Sequence, residues 1–354
     1  MTTHPPQREM EQAFLQRDAA YDGVFFVGVR TTGIFCRPSC PARKPKLDNV
    51  EYFPTAREAV FSGYRPCKRC EPLLTHGERP EWLARLLEHV DRTPEERLTD
   101  ADVRGFGIDP ARVRRYFMKH YGMTFHAYCR SRRMGLALQR IRRGDDLDDV
   151  ILGHGYESHS GFRDAFVRTF GQPPGASRDA GCAVASWIES PIGPLVAAAT
   201  ENGVCLLEFT DRRMLEAQFT TLRRLFSRTV VPGENEHLAS LRAELGRYFA
   251  GDLRVFSTPL VYPGTPFQTR VWEQLLHIPY GETRSYEDIA VAIGHPKAVR
   301  AVGAANGMNR LAIVIPCHRV VDKDGQLGGY GGGLWRKRLL LGLEQGEGIL
   351  SVNG

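Results

Sequence analysis

The chain has 354 residues, with 47 Lys and Arg against 41 Asp and Glu, a net charge of +6, and eight cysteines. That length exceeds what one ordinary hydrophobic core organises, so two or three folding units are expected. The opening MTTHPPQREMEQAF holds charge and proline without an apolar stretch, and no window approaches 18 uninterrupted apolar residues. A secretory signal and a membrane span are therefore not expected, and the expected compartment is the cytoplasm.

In a reducing compartment eight cysteines read as metal ligands, reactive thiols or packing residues rather than as a disulfide framework. Four of them cluster. FCRPSC supplies Cys36 and Cys40, and RPCKRC supplies Cys67 and Cys70, with 26 residues between the pairs. Two short-spaced pairs each offer two soft thiolates to one tetrahedral ion, so a single structural Zn2+ on these four cysteines is expected. An N-terminal segment of about 75 residues has little core of its own, and zinc would add folding energy there. Strand-like residues in GVFFVGVRTTGIF would pack beside it.

After Pro80 the pattern turns helical, beginning with EWLARLLEHV. Two helix-turn-helix candidates follow. In LTDADVRGFGIDPARVRRYFMKHYG the break falls at Gly105 and Gly107, and the next helix opens with Asp109 as N-cap and Pro110 in first position. Its exposed face would carry Arg112, Arg115 and Lys119. In DLDDVILGHGYESHSGFRDAFVRTFG the break falls at Gly153 and Gly155, and Ser158 or Ser160 opens the following helix. The amphipathic TFHAYCRSRRMGLALQRIRRG joins the two units, which would place two recognition helices in successive major-groove segments. Residues 104 to 143 contain ten Arg and one Lys against the single acid Asp109, a density that suits a polyanion such as nucleic acid. Cys129, His154 and His159 read as packing, loop or cap residues.

TFGQPPGASRDAGCAVAS is rich in Pro, Gly, Ser and Ala and marks a linker. Beyond it, IGPLVAAATENGVCLLEF and LASLRAELGRYFAG indicate a small α/β subdomain, in which Cys182 and Cys205 read as structural. A third helix-turn-helix follows: Ser285 and Asp288 form a capping box, Gly294 makes the turn, and Pro296 opens a second helix. That helix, AVRAVGAAN, is made almost wholly of small residues, which suits close approach to a minor groove.

AIVIPCHRVV then places Cys317 beside His318 at the end of an apolar run that reads as a buried strand. A thiol attacks as thiolate, and its free pKa of about 8.5 leaves little ionised near pH 7 without a base or a positive neighbour. His318 is the obvious helper. Adjacent side chains of an extended segment face opposite ways, so a bridging water or a bend after Pro316 is expected rather than direct contact. Glu344 in LLLGLEQG is one carboxylate that a returning helix would bring to orient the histidine. A buried inert cysteine, or the nucleophile of a hydrolase, remains open at this level.

The order of FCRPSC…RPCKRC, paired helix-turn-helix units and IPCHRVV closely resembles the bacterial Ada family of the adaptive response to DNA alkylation, over nearly the whole chain. The resemblance implies a multidomain α/β chain in four parts. Residues 1–78 would be a zinc-bound α+β methylphosphotriester acceptor, and 79–178 an all-α AraC-type double helix-turn-helix. Residues 179–262 would be a small ribonuclease H-like α/β subdomain, and 263–354 the winged-helix-like catalytic subdomain of an O6-alkylguanine-DNA alkyltransferase. It further implies that Cys317 accepts the methyl group of O6-methylguanine, and of O4-methylthymine, with His318 as water-mediated base and Glu344 holding it. Asn309 would brace the turn, Tyr286 donate to the leaving base, Arg300 fill the gap left by a flipped nucleotide, and Tyr330 line the pocket. Cys36 would be both zinc ligand and acceptor of a methyl from a backbone phosphotriester, switching the chain to promoter binding. The implied partners are double-stranded DNA, damaged and promoter, and RNA polymerase. No membrane partner is implied, and the chain would act as a monomer in the cytoplasm, associated with the nucleoid. The alternative is a zinc-containing regulator that binds alkylated DNA without methyl transfer. Two features depart from the family pattern: Gly331 within a run of three glycines, and the glycine-rich RGFGIDPARV of the first helix-turn-helix.

Overall fold

A computed structural model describes residues 5–73, 81–121, 123–170, 173–174, 183–212, 214–226 and 230–347. Most of the Pro- and Gly-rich stretch read as a linker, and Cys182 with it, lies outside the described residues. None of the helices searched is long and apolar enough to cross a membrane.

The N-terminal part begins with α1 (Gln7–Gln16) and builds a four-stranded sheet from β1 (Phe26–Val29), β2 (Ile34–Cys36), β3 (Val50–Phe53) and β4 (Arg65–Pro66) in the order β3-β1-β2-β4, with α2 (Ala56–Phe61) between β3 and β4. Phe26, Phe35, Phe53 and Ala59 make its small core. Gly28 is required on β1, because a Cβ there would stand 2.7 Å from the Phe53 ring and 2.9 Å from Tyr64. The parallel pairing of β2 with β4 (Ile34↔Arg65, Phe35↔Pro66) brings the two cysteine pairs together, since Cys36 ends β2 and Cys67 follows β4.

The all-α middle comprises α3 (Glu81–Arg92), α4 (Asp100–Gly105), α5 (Pro110–Tyr121), α6 (Phe125–Arg143), α7 (Leu147–Gly153) and α8 (His159–Phe170). Its caps are the predicted ones: Asp109 Oδ1 accepts from the Ala111 amide, and Ser158 Oγ accepts from the Gly161 amide. Gly107 (φ 75°) and Gly155 (φ 70°) take the left-handed conformation that lets each turn reverse. The 19-residue α6 serves two cores. Its N-terminal Phe125 and Cys129 pack with Leu83, Val113 and Phe117, while Met134, Ala137, Leu138 and Ile141 join a larger core with Phe162, Phe166 and the following sheet. Several of the clustered arginines are engaged internally: Arg132 pairs with Asp91, Arg140 with Asp145, and buried Arg133 donates to the Glu96 carbonyl. The basic face is thus narrower than the sequence density suggests.

The C-terminal half opens with β5 (Ala183–Ile188), β6 (Leu195–Thr200) and β7 (Gly203–Phe209), then α9 (Leu215–Phe226), β8 (Val230–Pro232) and α10 (Glu236–Phe249), the sheet running β7-β6-β5-β8. β6 and β7 are buried along their full length, one face against α9 and the other against the main core. The outer edge of β7 is capped by two passing segments: Val204 bridges to Leu260, and Leu207 exchanges backbone hydrogen bonds with Arg310 and Ala312 (2.8 Å each). That second bridge fixes where the chain leaves the sheet at Leu311 and enters the buried segment leading to Cys317.

The remaining elements are α11 (Pro266–Leu276), β9 (Arg284–Ser285), α12 (Tyr286–Ala292), α13 (Val299–Gly307), β10 (Val320–Val321) and α14 (Leu334–Glu344). The Ser285–Asp288 capping box and the Gly294 turn (φ 76°) form as expected. Pro296 does not open the next helix; α13 starts at Val299 behind Ala298, after a further turn.

Because the first helix-turn-helix has its own core, Phe117→Ala should cost about 3–5 kcal/mol there. Calorimetry of the full chain should show one transition lowered while another, from the C-terminal half, stays in place. Uniform lowering of all transitions would show that the two cores melt as one.

Candidate active site and metal centre

The segment from Asn309 to Arg319 is buried, as the apolar run requires, but it is a chain of tight turns and not a strand. Leu311 alone bridges to the sheet; then Val314 N donates to Ala312 O (2.8 Å) around Ile313, and Cys317 N to Ile315 O (2.7 Å) around Pro316. Ile313 carries φ 71°, a left-handed conformation costly for a β-branched side chain. The cost, about 1–3 kcal/mol, is held in place by the surrounding bonds. Asn309 supplies most of them. Its amide Nδ2 donates to Ile315 O (2.9 Å) and to Cys317 Sγ (3.2 Å), while its Oδ1 accepts from Leu311 N (2.9 Å).

A single turn of 3-10 helix, Cys317–Arg319, then carries three functional side chains in sequence. His318 is fully buried, and its Nε2 lies 2.8 Å from Glu344 Oε1 at the end of α14. Glu344 also accepts from Arg319 Nε (2.8 Å), Tyr248 Oη (2.7 Å) and Gly281 N (3.2 Å). Burial penalises this carboxylate, but hydrogen bonds from His318 and Arg319, with the Arg319 charge, outweigh the penalty and hold its pKa below the ordinary range. Burial lowers the His318 pKa against the opposing pull of Glu344, so the ring is neutral near pH 7. With Nε2–H donating to the carboxylate, Nδ1 is left as a buried lone pair with no hydrogen-bond partner among the described residues. An imidazole with one nitrogen anchored and the other free is arranged as a base.

Burial likewise pushes the Cys317 thiol up, while the Asn309 hydrogen bond and the Arg212 charge draw it down. The thiol opens on a cavity of about 400 Å³, a size in the range of small-molecule pockets. Tyr286 and Tyr330 line it together with Gly303, Asn306 and Gly307 of α13 and the glycines 328–332. Arg300 lies outside the cavity, exposed on the same α13. Arg112 and Arg115 are exposed on α5, remote in sequence from this site, and Arg112 stacks over the Trp82 ring at 4.3 Å. Lys119 also belongs to α5, but its side chain is outside the described residues.

Four residues in this neighbourhood escaped sequence reasoning. Asn306 Nδ2 donates to Cys317 O (3.3 Å), Arg319 completes the Glu344 cluster, and Lys337, fully buried, donates to Val320 O and Gly328 O. Burial brings the Lys337 pKa down to about 8, despite the opposing Cys317 charge. The fourth, Arg212, reaches the cavity from the sheet. A charged residue inside an apolar run, as in HRVV, was the available signal for Arg319.

The Sγ atoms of Cys36, Cys40, Cys67 and Cys70 all lie within 4.8 Å of one another. Backbone amides of Arg37 and Arg69 donate to Cys70 and Cys67 sulfurs at 3.4 Å, which favours thiolates. Four convergent sulfurs with amide donors fit one tetrahedral Zn2+.

Together these define a class: a zinc-thiolate unit and helix-turn-helix units joined to a buried cysteine nucleophile served by an oriented histidine. Family models match residues 9–72 (metal binding domain of Ada), 103–180 (helix-turn-helix domain), and 184–262 and 266–346 (6-O-methylguanine DNA methyltransferase, ribonuclease-like and DNA binding domains). The bifunctional transcriptional activator/DNA repair enzyme Ada of Escherichia coli K12 is 36% identical over 345 residues, covering 93% of this chain and 94% of that one. A methylated-DNA–protein-cysteine methyltransferase of Mycobacterium tuberculosis H37Rv is 51% identical over 158 residues, 45% of this chain and 90% of its own. The crystal structure of M. tuberculosis OGT in complex with DNA matches at 43% identity over 48% of this chain and 96% of that one, with a TM-score of 0.42. With more than a third of residues identical across nearly the full length of both chains, this chain belongs to the Ada family.

Cys40→Ser should remove the bound zinc, read as one equivalent lost by elemental analysis, and should unfold the N-terminal sheet while the C-terminal thiol stays reactive. Full zinc retention in that variant would sink the four-cysteine assignment.

Proposed function

We propose that the chain is a single-use DNA repair methyltransferase whose N-terminal acceptor also controls transcription. The observation that carries the reading is the buried Cys317, with His318 anchored to Glu344 behind it and a base-sized cavity in front. O6-methylguanine, and O4-methylthymine with it, enters the cavity flipped from the duplex. The Cys317 sulfur attacks the methyl carbon in line; the S–CH3 bond forms as the O–CH3 bond breaks, and the electron pair returns to the base. The thiol proton passes through water to His318 Nδ1, and Tyr286 donates a proton to the departing base. The product is a thioether, which no group here can hydrolyse, so each thiol acts once. Asn309 braces the turn, Tyr330 walls the pocket, and exposed Arg300 on α13 occupies the gap in the duplex.

Residues 1–78 act as the methylphosphotriester acceptor, 79–178 as the AraC-type double helix-turn-helix, 179–262 as the α/β subdomain and 263–354 as the catalytic subdomain. Zinc held by the four cysteines keeps their sulfurs deprotonated. Cys36 takes the methyl of a neutral phosphotriester and leaves a phosphodiester anion. Methylation removes one negative charge from the site, and Arg112, Arg115 and Lys119 on α5 then hold promoter DNA. In that state the chain contacts RNA polymerase, and it works as a monomer in the cytoplasm, on the nucleoid.

Intact mass after mixing limiting protein with duplex methylated at guanine O6 is the direct test. Wild type should gain one methyl and stop, and Cys317→Ala none; equal binding of the damaged duplex by both without any mass gain would favour a regulator that only binds damage. The same transfer followed against pH gives a second check. Because burial holds the His318 pKa below its usual value of about 6.5, the single-turnover rate should stay level from pH 8 to about 6.5 and fall only further down. A rate that drops steadily from pH 9 would instead mark a thiol that ionises without help from His318.

A further inference from the structure

Arg212 follows β7, in a stretch that neither the motifs nor the reaction described above account for, yet its side chain lines the cavity and is only 8% exposed. Its guanidinium is committed on one side. Nη1 donates to buried Glu208 and to Asn309 O (3.2 Å), and Nη2 to Gly307 O (2.5 Å), so it ties β7 to the end of α13 and to the residue that braces the catalytic turn. The frame behind it is rigid: Arg336 grips Asp211 with both terminal nitrogens (2.9 and 2.7 Å) and stacks on Phe209 at 4.2 Å. Of five N–H groups on an arginine, three are used, leaving Nε–H and one hydrogen of Nη2.

Those two nitrogens lie against the glycine loop. A Cβ on Gly331 would stand 2.6 Å from Cζ and 2.8 Å from both Nε and Nη2, nearest the central carbon, so Gly331 packs on the flat face of the guanidinium and a side chain at 331 would collide with it. Arg212 and Gly331 both line the cavity, so its wall carries a fixed, positively charged group with two N–H donors beyond those three bonds and an ordering cost already met.

We propose that Arg212 is a specificity-determining residue of the base pocket, donating to the acceptor edge formed by N7 and O6 of an alkylated purine. The assignment rests on the reading of the cavity as an alkylguanine pocket. It gives a purine with N7 an advantage that a pyrimidine lesion, lacking that atom, does not share.

The test compares single-turnover transfer from duplexes carrying O6-methylguanine or O6-methyl-7-deazaguanine, in wild type, Arg212→Met and Arg212→Lys, each normalised to its titrated active thiol. Because the readout is a ratio within one protein, partial misfolding of a variant cancels. Wild type should transfer from the deaza base about ten- to a hundred-fold more slowly, the span of a hydrogen bond from a charged donor. That penalty should vanish in Arg212→Met and persist in part in Arg212→Lys. A penalty of equal size in wild type and Arg212→Met, or none in wild type, would overturn the assignment and leave Arg212 a purely structural tie. If wild type moved no methyl from either duplex, the failure would lie in the alkyltransferase reading itself.

Discussion

One buried carboxylate organises the catalytic half. Glu344 draws a histidine, an arginine, a tyrosine hydroxyl and a backbone amide from three separate segments onto two oxygens. An isolated carboxylate in that position would cost several kcal/mol, and the site exists only because every lone pair facing the interior is met. The same bonds decide chemistry. Arg319 balances the charge, which leaves His318 free to remain neutral, and the anchored Nε2 directs basicity to Nδ1. Strain at Ile313 is affordable within such a frame, since the turn is bolted from behind by Asn309 and in front by the β7 bridge.

The two cysteines proposed as methyl acceptors would solve one problem in opposite ways. Cys317 is protonated and shielded, and burial raises its pKa, so ionisation must be coupled to attack through a base. Four thiolates around one divalent ion leave the N-terminal site with a net charge near −2, and nucleophilicity there needs no base. Methylating one sulfur removes a charge. At about 6 to 10 Å from a phosphate and an effective dielectric of about 20 to 40, that relieves roughly 1 to 3 kcal/mol before screening. In the proposed function such a change would alter DNA affinity by roughly five- to a hundred-fold, enough to turn a chemical event into a binding switch.

Local signals were legible in the sequence wherever a single residue type dictates the geometry. The cysteine pairs, the capping residues Asp109, Ser158 and Ser285, and the turn glycines 107, 155 and 294 all act where they were read. What escaped depends on partners distant in the chain. AIVIP has the composition of a strand, and only Asn309, eight residues before Cys317, together with the edge of β7, folds it into turns. Arg212 offers no pattern at all, because Gly331 lies 119 positions away and their meeting is made by the sheet. Arginine density along α6 overstated the basic face for a related reason: ion pairs such as Arg132–Asp91 span 41 positions.

Helix α14 shows how such long-range polar pairing specifies a structure. It buries residues around most of its circumference, including Arg336, Lys337 and Glu344, so hydrophobic periodicity alone does not set its rotation. The polar contacts do. Arg336 reaches Asp211 and Ile192 O, Lys337 reaches Val320 O and Gly328 O, and Glu344 gathers the catalytic turn. Outside contacts fall in with them, for Trp335 Nε1 donates to Ala20 O (2.6 Å) and Arg338 pairs with Glu9 (2.7 Å), both on the zinc-bearing part. Rotating or sliding the helix by one residue would strand all three buried charges at once, at several kcal/mol each, whereas a slip in an apolar helix would merely repack methyl groups. Buried polarity here sets register, and the register of α14 is what brings the carboxylate to the histidine.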